Sequence, residues 1–389
     1  MSYTNVVDYV RTEHETFEER GVCRVDSLVL SILAYAHIPS EIARASTSEG
    51  IAVRELCAAP FLETLCARMY DPQSSTELLT ALAESPRFRD VSVSSFVHHT
   101  DERVEKQFAA MTLAISSREA YVAFRGTDNT LVGWKEDFNM SFQTAVPSQL
   151  DAVKYLNDVS RAVSGRIWCG GHSKGGNLAV YASVMCDPAV RGRIVRCFSH
   201  DGPGFSAAAM RDPRWEQVRG LVDKTIPQSS VVGMIFEQQE RDFSVVRSHG
   251  LGFYQHDPYS WEVEGCDFVY ERRLGLGATV LDSSLNAWLS NAATADRERF
   301  VDAVFGVLAA AGEDTMAGIK ANWRTSVPKM ALAASQLPPE DRDLVVTAVV
   351  DVLRAMIPAR PQVAHLLRHM MLAGARVTQP EVTYEIPAQ

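Results

Sequence analysis

Residues 166–184 read RIWCGGHSKGGNLAVYASV. Arg166-Ile167-Trp168-Cys169 is a short apolar strand, and Asn177–Val184 is a helix of mostly small residues. Between them lies a glycine-dense turn, Gly170-Gly171-His172-Ser173-Lys174-Gly175-Gly176. Gly171-His172-Ser173-Lys174-Gly175 has the form G-x-S-x-G. Alone that pattern is short enough to arise by chance. A strand ending before it and a helix starting after it are what a nucleophile elbow needs. The glycines allow a sharp turn and close packing, and the serine is pushed to its tip. Backbone N–H groups at the helix start favour developing negative charge. Ser173 is therefore the candidate nucleophile.

The surrounding pattern fits that centre. Ile194–Phe198 predicts the next strand, so the middle of the chain reads as βαβ units with a parallel sheet and right-handed crossovers. Upstream, Val91 and Val93 alternate with serines, and Met111, Leu113 and Ile115 alternate with Thr112 and Ala114. With Tyr121–Phe124 these make three strands, the last two a hairpin. Leu131–Met140 and Leu150–Val163 return to helical spacing. The first 90 residues predict helices, one through Val25, Leu28, Val29, Ile32, Leu33 and Ala36, and one starting at a Ser74/Glu77 capping box and ending at Pro86. Beyond 280, Asp282 or Ser283 would cap a helix with Leu285, Trp288 and Leu289. Val304–Leu308 and Val345–Met356 predict two more, the last stopped by Pro358. The expected organisation is a helical cap over 1–90, an α/β core over 91–280, a helical region over 281–375 and a polar tail over 376–389.

The whole-chain numbers set limits. The 389 residues are 46% hydrophobic and 22% charged, with a net charge of −10. That composition suits a globular protein and excludes wholesale disorder. No dense Lys/Arg cluster suggests nucleic-acid binding. The seven cysteines show no C-x-x-C or Cys/His finger spacing, so they read as buried thiols of a reducing compartment. The N-terminus lacks a signal-peptide pattern, and no run of 18 apolar residues, the length of a membrane span, occurs. A cytoplasmic location is expected, with no transmembrane span and room for peripheral membrane contact. No metal or organic cofactor is implied, and the oligomeric state is not legible.

A second element is Phe124-Arg125-Gly126-Thr127 at a strand end, followed by Trp134 and Asp137. Acyl transfer needs two donors aimed at the oxyanion. The Lys174 N–H, just after the nucleophile, would be one. Thr127, in a loop after an earlier strand, would be the other, through its N–H or its hydroxyl. Asp201 follows closely on Ile194–Phe198, at the carboxyl edge of the sheet where ligand chemistry concentrates in open α/β folds. It is the candidate acid, with Asp257 second and Asp242 third. Ten histidines compete to be the base. His172, inside the elbow, and His200 read as packing. His98 and His99 precede the elbow. His365 and His369 sit four apart on a predicted helix, with no third metal ligand nearby. The order nucleophile, acid, histidine leaves His249 and His256.

These motifs resemble the class 3, fungal-type lipase branch of the α/β-hydrolases. The chain is similar to a bacterial family of lipase-like proteins in Gly133-Trp134-Lys135-Glu136-Asp137, in Gly171-His172-Ser173-Lys174-Gly175-Gly176-Asn177-Leu178-Ala179, in Asp201-Gly202-Pro203-Gly204-Phe205 and in Gln255-His256-Asp257. The likeness runs from about residue 20 to about residue 290. It implies a mostly parallel α/β-hydrolase sheet with helices on both faces, and a Ser/Asp/His triad. It implies that Thr127 lines the oxyanion hole with Asp137 accepting from its hydroxyl, and it favours His256 as the base.

Two departures stand out. Class 3 lipases usually carry leucine where Lys174 stands; a cation there either raises the local potential or pairs with a carboxylate. Their acid lies in an Asp-x-Val-Pro stretch, whereas the matching Ile226–Gly233 segment has no carboxylate. The expected function is a serine hydrolase cleaving a carboxylic ester, a lipid ester among the candidates, through an acyl-enzyme on Ser173. A non-catalytic binding or scaffold protein on the same fold, and an amidase or peptidase with the same triad, are the alternatives.

Overall fold

The computed structural model describes residues 3–356 apart from 40–41, 43–49, 59–60, 68, 70, 129, 141, 144, 206–208, 231, 235–242, 251 and 275–292. The chain forms two compact units, Met1–Ala293 and Thr294–Gln389.

The first unit is built on an eight-stranded sheet whose strands lie side by side in chain order. They are β1 (Ile51–Ala52), β2 (Ser92–Asp101), β3 (Lys106–Ser116), β4 (Glu119–Phe124), β5 (Arg166–His172), β6 (Ile194–His200), β7 (Val222–Pro227) and β8 (Phe243–Val246). β1 to β4 are joined antiparallel, and β4 to β8 run parallel. β1 pairs Ile51 with Val93 and is too short to leave a periodic signal in the sequence.

Each sheet face has its own core. Tyr121, Ala123, Met111, Leu113, Trp168 and Phe198 point to one side. There they meet the N-terminal helices α1 (Val6–Thr12), α2 (Arg24–Leu33) and α3 (Pro72–Glu84). Val122, Phe124, Ala110, Ile167, Cys169 and Cys197 point to the other, against the crossover helices α5 (Pro147–Val159) and α6 (Lys174–Met185). A further helix, α4 (Leu131–Asn139), precedes α5. Parallel neighbours need such crossovers, and crossovers of one hand put their helices on one face. The opposite face is covered by the N-terminal helices together with Tyr259, Trp261, Val263 and Phe268. These helices are thus a layer of the fold, sharing its core and its compact unit.

α2 is buried almost all round. Val25, Leu28, Val29 and Leu33 are fully covered, each contributing about 1.5–3 kcal/mol on burial. Its polar residues are buried too and have partners, as they must. Asp26 receives Nε and Nη2 of Arg87 at 2.7 and 2.6 Å, and Ser27 Oγ meets Tyr121 Oη at 2.6 Å. α3 starts earlier than the Ser74/Glu77 pattern predicts. Pro72 is its first residue and Asp71 caps it, accepting from the N–H groups of Gln73 and Ser74 at 3.1 Å. Proline needs no N–H at that position, so the start shifts upstream.

The second unit comprises α7 (Thr294–Ala309), α8 (Met316–Ala321), α9 (Trp323–Ser335) and α10 (Pro339–Met356). Val301, Val304, Met330, Val345 and Val349 are buried within it. The helix expected through Leu285 and Trp288, the tail, Asp242, His365 and His369 lie outside the described residues.

Candidate active site

The loops after β4, β5, β6 and β7 and the segment after β8 supply the candidate residues. Register brings the first three together. Phe124 of β4 pairs with Gly171 of β5, and His172 of β5 with His200 of β6. Thr127, Ser173 and Asp201 therefore leave three adjacent strand ends.

Ser173 sits between β5 and α6 with φ 58° and ψ −135°. A non-glycine residue there costs on the order of 1–3 kcal/mol, held by its surroundings. Those surroundings are tight. A Cβ at Gly171 would come within 2.2 Å of the Gly175 carbonyl carbon, and one at Gly175 within 2.1 Å of Phe124 O. Only bare glycines let the helix start pack so closely on the ends of β4 and β5. Ser173 N–H donates to His200 O at 2.9 Å, which ties the elbow to β6.

Asp201 follows β6 at φ 50° and is fully buried. Its Oδ2 accepts from His256 Nδ1 at 2.6 Å. Its Oδ1 accepts from Gly233 N–H at 3.1 Å and from the Ser230 hydroxyl. Ser230 and Gly233 belong to the segment in which class 3 lipases carry their acid. Here it carries donors to a carboxylate placed one strand earlier. Asn177 of α6 secures the next residues, donating to the carbonyls of Pro203 and Gly204 at 3.2 and 2.9 Å.

The competing residues are engaged elsewhere. His249 stacks on Tyr3 with ring centroids 3.9 Å apart, and its Nε2 is 2.8 Å from Glu262 Oε2. Asp257 accepts from Tyr259 N–H as the cap of a single turn, and burial pushes its carboxyl up to about 6. His200 bonds Thr225 and Ser27 through its two ring nitrogens, and burial lowers its pKa to about 3.

On the other side of Ser173, Thr127 Oγ1 donates to Asp137 Oδ2 at 2.5 Å. Burial pushes the Asp137 carboxyl up to about 6, against the pull of the Lys174 cation and of this hydrogen bond. Asp137 Oδ1 accepts no hydrogen bond from the described residues and lies 3.7 Å from Lys174 Nζ.

Lys174 takes the second of its two expected roles. Its side chain is buried and points into the fold. Nζ donates to Gln107 O at 2.9 Å, to Gln107 Oε1 at 3.1 Å and to Glu136 Oε2 at 3.0 Å, which uses all three of its protons. Glu136, also buried, accepts in addition from the N–H groups of Gln107 and Ser148 at 2.9 Å. The Lys174 backbone N–H is the first of α6, where N–H groups lack intrahelical acceptors.

The model of the Mbeg1-like family matches residues 82–306, more than half of the chain. The chain belongs to the Mbeg1-like family. Ser173, Asp201, His256, Thr127 and Asp137 all fall inside the matched stretch. The fold of this Mbeg1-like chain is an α/β-hydrolase: a mostly parallel sheet, a strained serine between strand and helix, and loops gathered at the strands' carboxyl ends. Among solved structures it is similar to the Rhizomucor miehei lipase in its propeptide complex, at 13% identity over 65% of this chain and 74% of that one, with a TM-score of 0.36. It is also similar to the Lip2 lipase of Yarrowia lipolytica, at 13% identity over 50% and 77%, with a TM-score of 0.32. The lipase of Rhizopus microsporus var. chinensis gives 15% identity over 63% and 90%, with a TM-score of 0.30. No curated protein matches the chain.

Proposed function

We propose that this Mbeg1-like chain is a serine hydrolase that cleaves a carboxylic ester through an acyl-enzyme on Ser173. The observation that carries the reading is the pair of neighbouring strand ends, one bearing a strained serine and the other a buried carboxylate 2.6 Å from a histidine ring nitrogen. In the proposed reaction, Asp201 holds the Nδ1–H of His256, so the imidazole lone pair is on Nε2. Nε2 takes the proton of Ser173 Oγ as that oxygen attacks the ester carbonyl. The proton then passes to the leaving alcohol. Water, activated by the same nitrogen, releases the acyl group.

The developing oxyanion is stabilised by the Lys174 N–H and by Thr127. Asp137 sets the Thr127 hydroxyl beforehand, so it is not reorganised during reaction. The Lys174 ammonium is spent on Glu136 and Gln107 and takes no part in proton transfer. A scaffold reading would be favoured by a missing acid, and the Asp201–His256 hydrogen bond speaks against it. The first experiment is an ester panel of graded acyl length with matched amides. Ester turnover that Ser173→Ala abolishes supports the reading, a preference for long acyl chains points to lipids, and turnover of amides alone replaces it with an amidase. No helix among the described residues is long and apolar enough to cross a membrane.

A further inference from the structure

His172, inside the elbow, and Tyr35, just past the end of α2, belong to no step above. Yet they touch both the elbow and the segment carrying His256. His172 is buried, with its Nε2 2.9 Å from the main-chain oxygen of His256. A carbonyl oxygen only accepts, so Nε2 carries the proton. In a neutral ring Nδ1 is then an acceptor, and Tyr35 Oη lies 3.3 Å from it. The same hydroxyl lies 3.2 Å from His172 O. It also packs on the loop ahead of Thr127. A Cβ at Gly126 would come within 2.0 Å of Tyr35 Oη, 2.6 Å of His172 O and 3.0 Å of Ser173 Cβ.

Resting on the triad reading, we propose that His172 is a positioning residue for the catalytic base: it holds the main chain of His256 through Nε2–H, and the Tyr35 hydroxyl, its single proton shared between the bare Nδ1 and the His172 carbonyl, favours the tautomer that makes this bond possible. His256 ends a single helical turn, Gly252–His256. Its ring is held at Nδ1 by Asp201, and its backbone is held by His172. The two imidazoles lie 4.5 Å apart between centroids, tilted by 33°. A second cation at that distance would oppose protonation of the base. Burial, and then His256 itself, keep His172 protonation well below the ordinary range, so its ring stays neutral at neutral pH. The groups facing His172 are Tyr35, His256 and the buried His200. Those facing His256 are Asp201, His172, Asp137 and Asp257. Through the Tyr35 hydroxyl the N-terminal layer thus reaches the site.

The test combines kinetics with NMR on the full chain. ¹⁵N-histidine spectra of the wild type should show His172 with a protonated Nε2 and a bare Nδ1 across neutral pH. A far-downfield proton should mark the His256 Nδ1–H bond to Asp201. His172→Leu removes the donor. It should lower kcat for ester hydrolysis about 10- to 100-fold, the scale on which small misplacements act, with KM little changed. His172→Gln puts an amide N–H near the Nε2 position and should restore most of the loss. Tyr35→Phe should give a smaller loss and broaden the downfield proton. An Nδ1–H tautomer for His172 in the wild type overturns the proposal. So does a folded His172→Leu with wild-type kcat and an unchanged downfield proton. If His172→Leu does not fold, the tautomer and the Tyr35→Phe spectrum decide. Should Ser173 resist a fluorophosphonate while the downfield proton still responds to these changes, the catalytic reading falls and the positioning contact stands.

Discussion

At the scale of single residues, the Thr127–Asp137 pair makes the sharpest demand. An oxyanion donor acts where charge develops, so it affects kcat and leaves KM nearly alone. Thr127→Val keeps the shape and the backbone N–H. It should lower kcat about 10²-fold, the lower end for loss of one such donor. Unchanged turnover of a good ester would remove the hydroxyl from the mechanism. Asp137 carries a second signature. Its folded pKa of about 6 lies above the ordinary value, so the folded state binds the extra proton between about pH 4 and 6. The stability this brings is complete below about pH 4 and is lost as pH rises through 6. Asp137→Asn cannot ionise. Its melting temperature relative to wild type should therefore climb across that window, as followed by circular dichroism. A difference that stays flat with pH would mean that Asp137 ionises as if in water. Ser173 and Thr127 were legible because a short motif and a strand end mark them. Ser230, Gly233 and Asn177 were not, because they act on Asp201 and its loop only after distant segments have met.

At the scale of elements, α4 and α6 are locked by the Lys174–Glu136 pair. Leucine is usual at the Lys174 position in class 3 lipases, yet here it would strand a buried carboxylate and the Gln107 carbonyl. Removing one partner of a buried pair typically costs about 3–5 kcal/mol. Lys174→Leu should lose stability on that scale in urea unfolding. Adding Glu136→Gln should recover part of it, since the stranded charge is gone. If the two losses simply add, the ions are not coupled. The partner was hidden from the sequence because Glu136 and Asp137 are adjacent on one helix. The family resemblance already put Asp137 against Thr127, and the packed structure adds that Glu136 faces Lys174. The start of α3 was misread for a related reason: Asp71 and Ser74 can both cap, and Pro72 decides between them.

At the scale of the whole molecule, alternating strand residues divide the first unit's core between two sheet faces. The strand–helix alternation made the parallel half readable in advance. What the helical cap expected over residues 1–90 would cover was not readable, because helical periodicity says that a face is buried without saying against what. Here it is buried against Met111, Tyr121, Trp168 and Phe198. Deleting residues 1–90 should leave the remainder insoluble, whereas a chain ending at Ala293 should stay folded and unfold in one step in urea. Soluble, folded protein without residues 1–90 would contradict this account of the layer. The central claim is that Ser173 is an activated nucleophile, and its most direct test is mass spectrometry after reaction with a fluorophosphonate. The account predicts one adduct on wild type, on the peptide containing Ser173, no adduct in Ser173→Ala, and much slower reaction in His256→Ala. A folded wild type that stays unlabelled, or a Ser173→Ala variant that labels as fast as wild type, would contradict it.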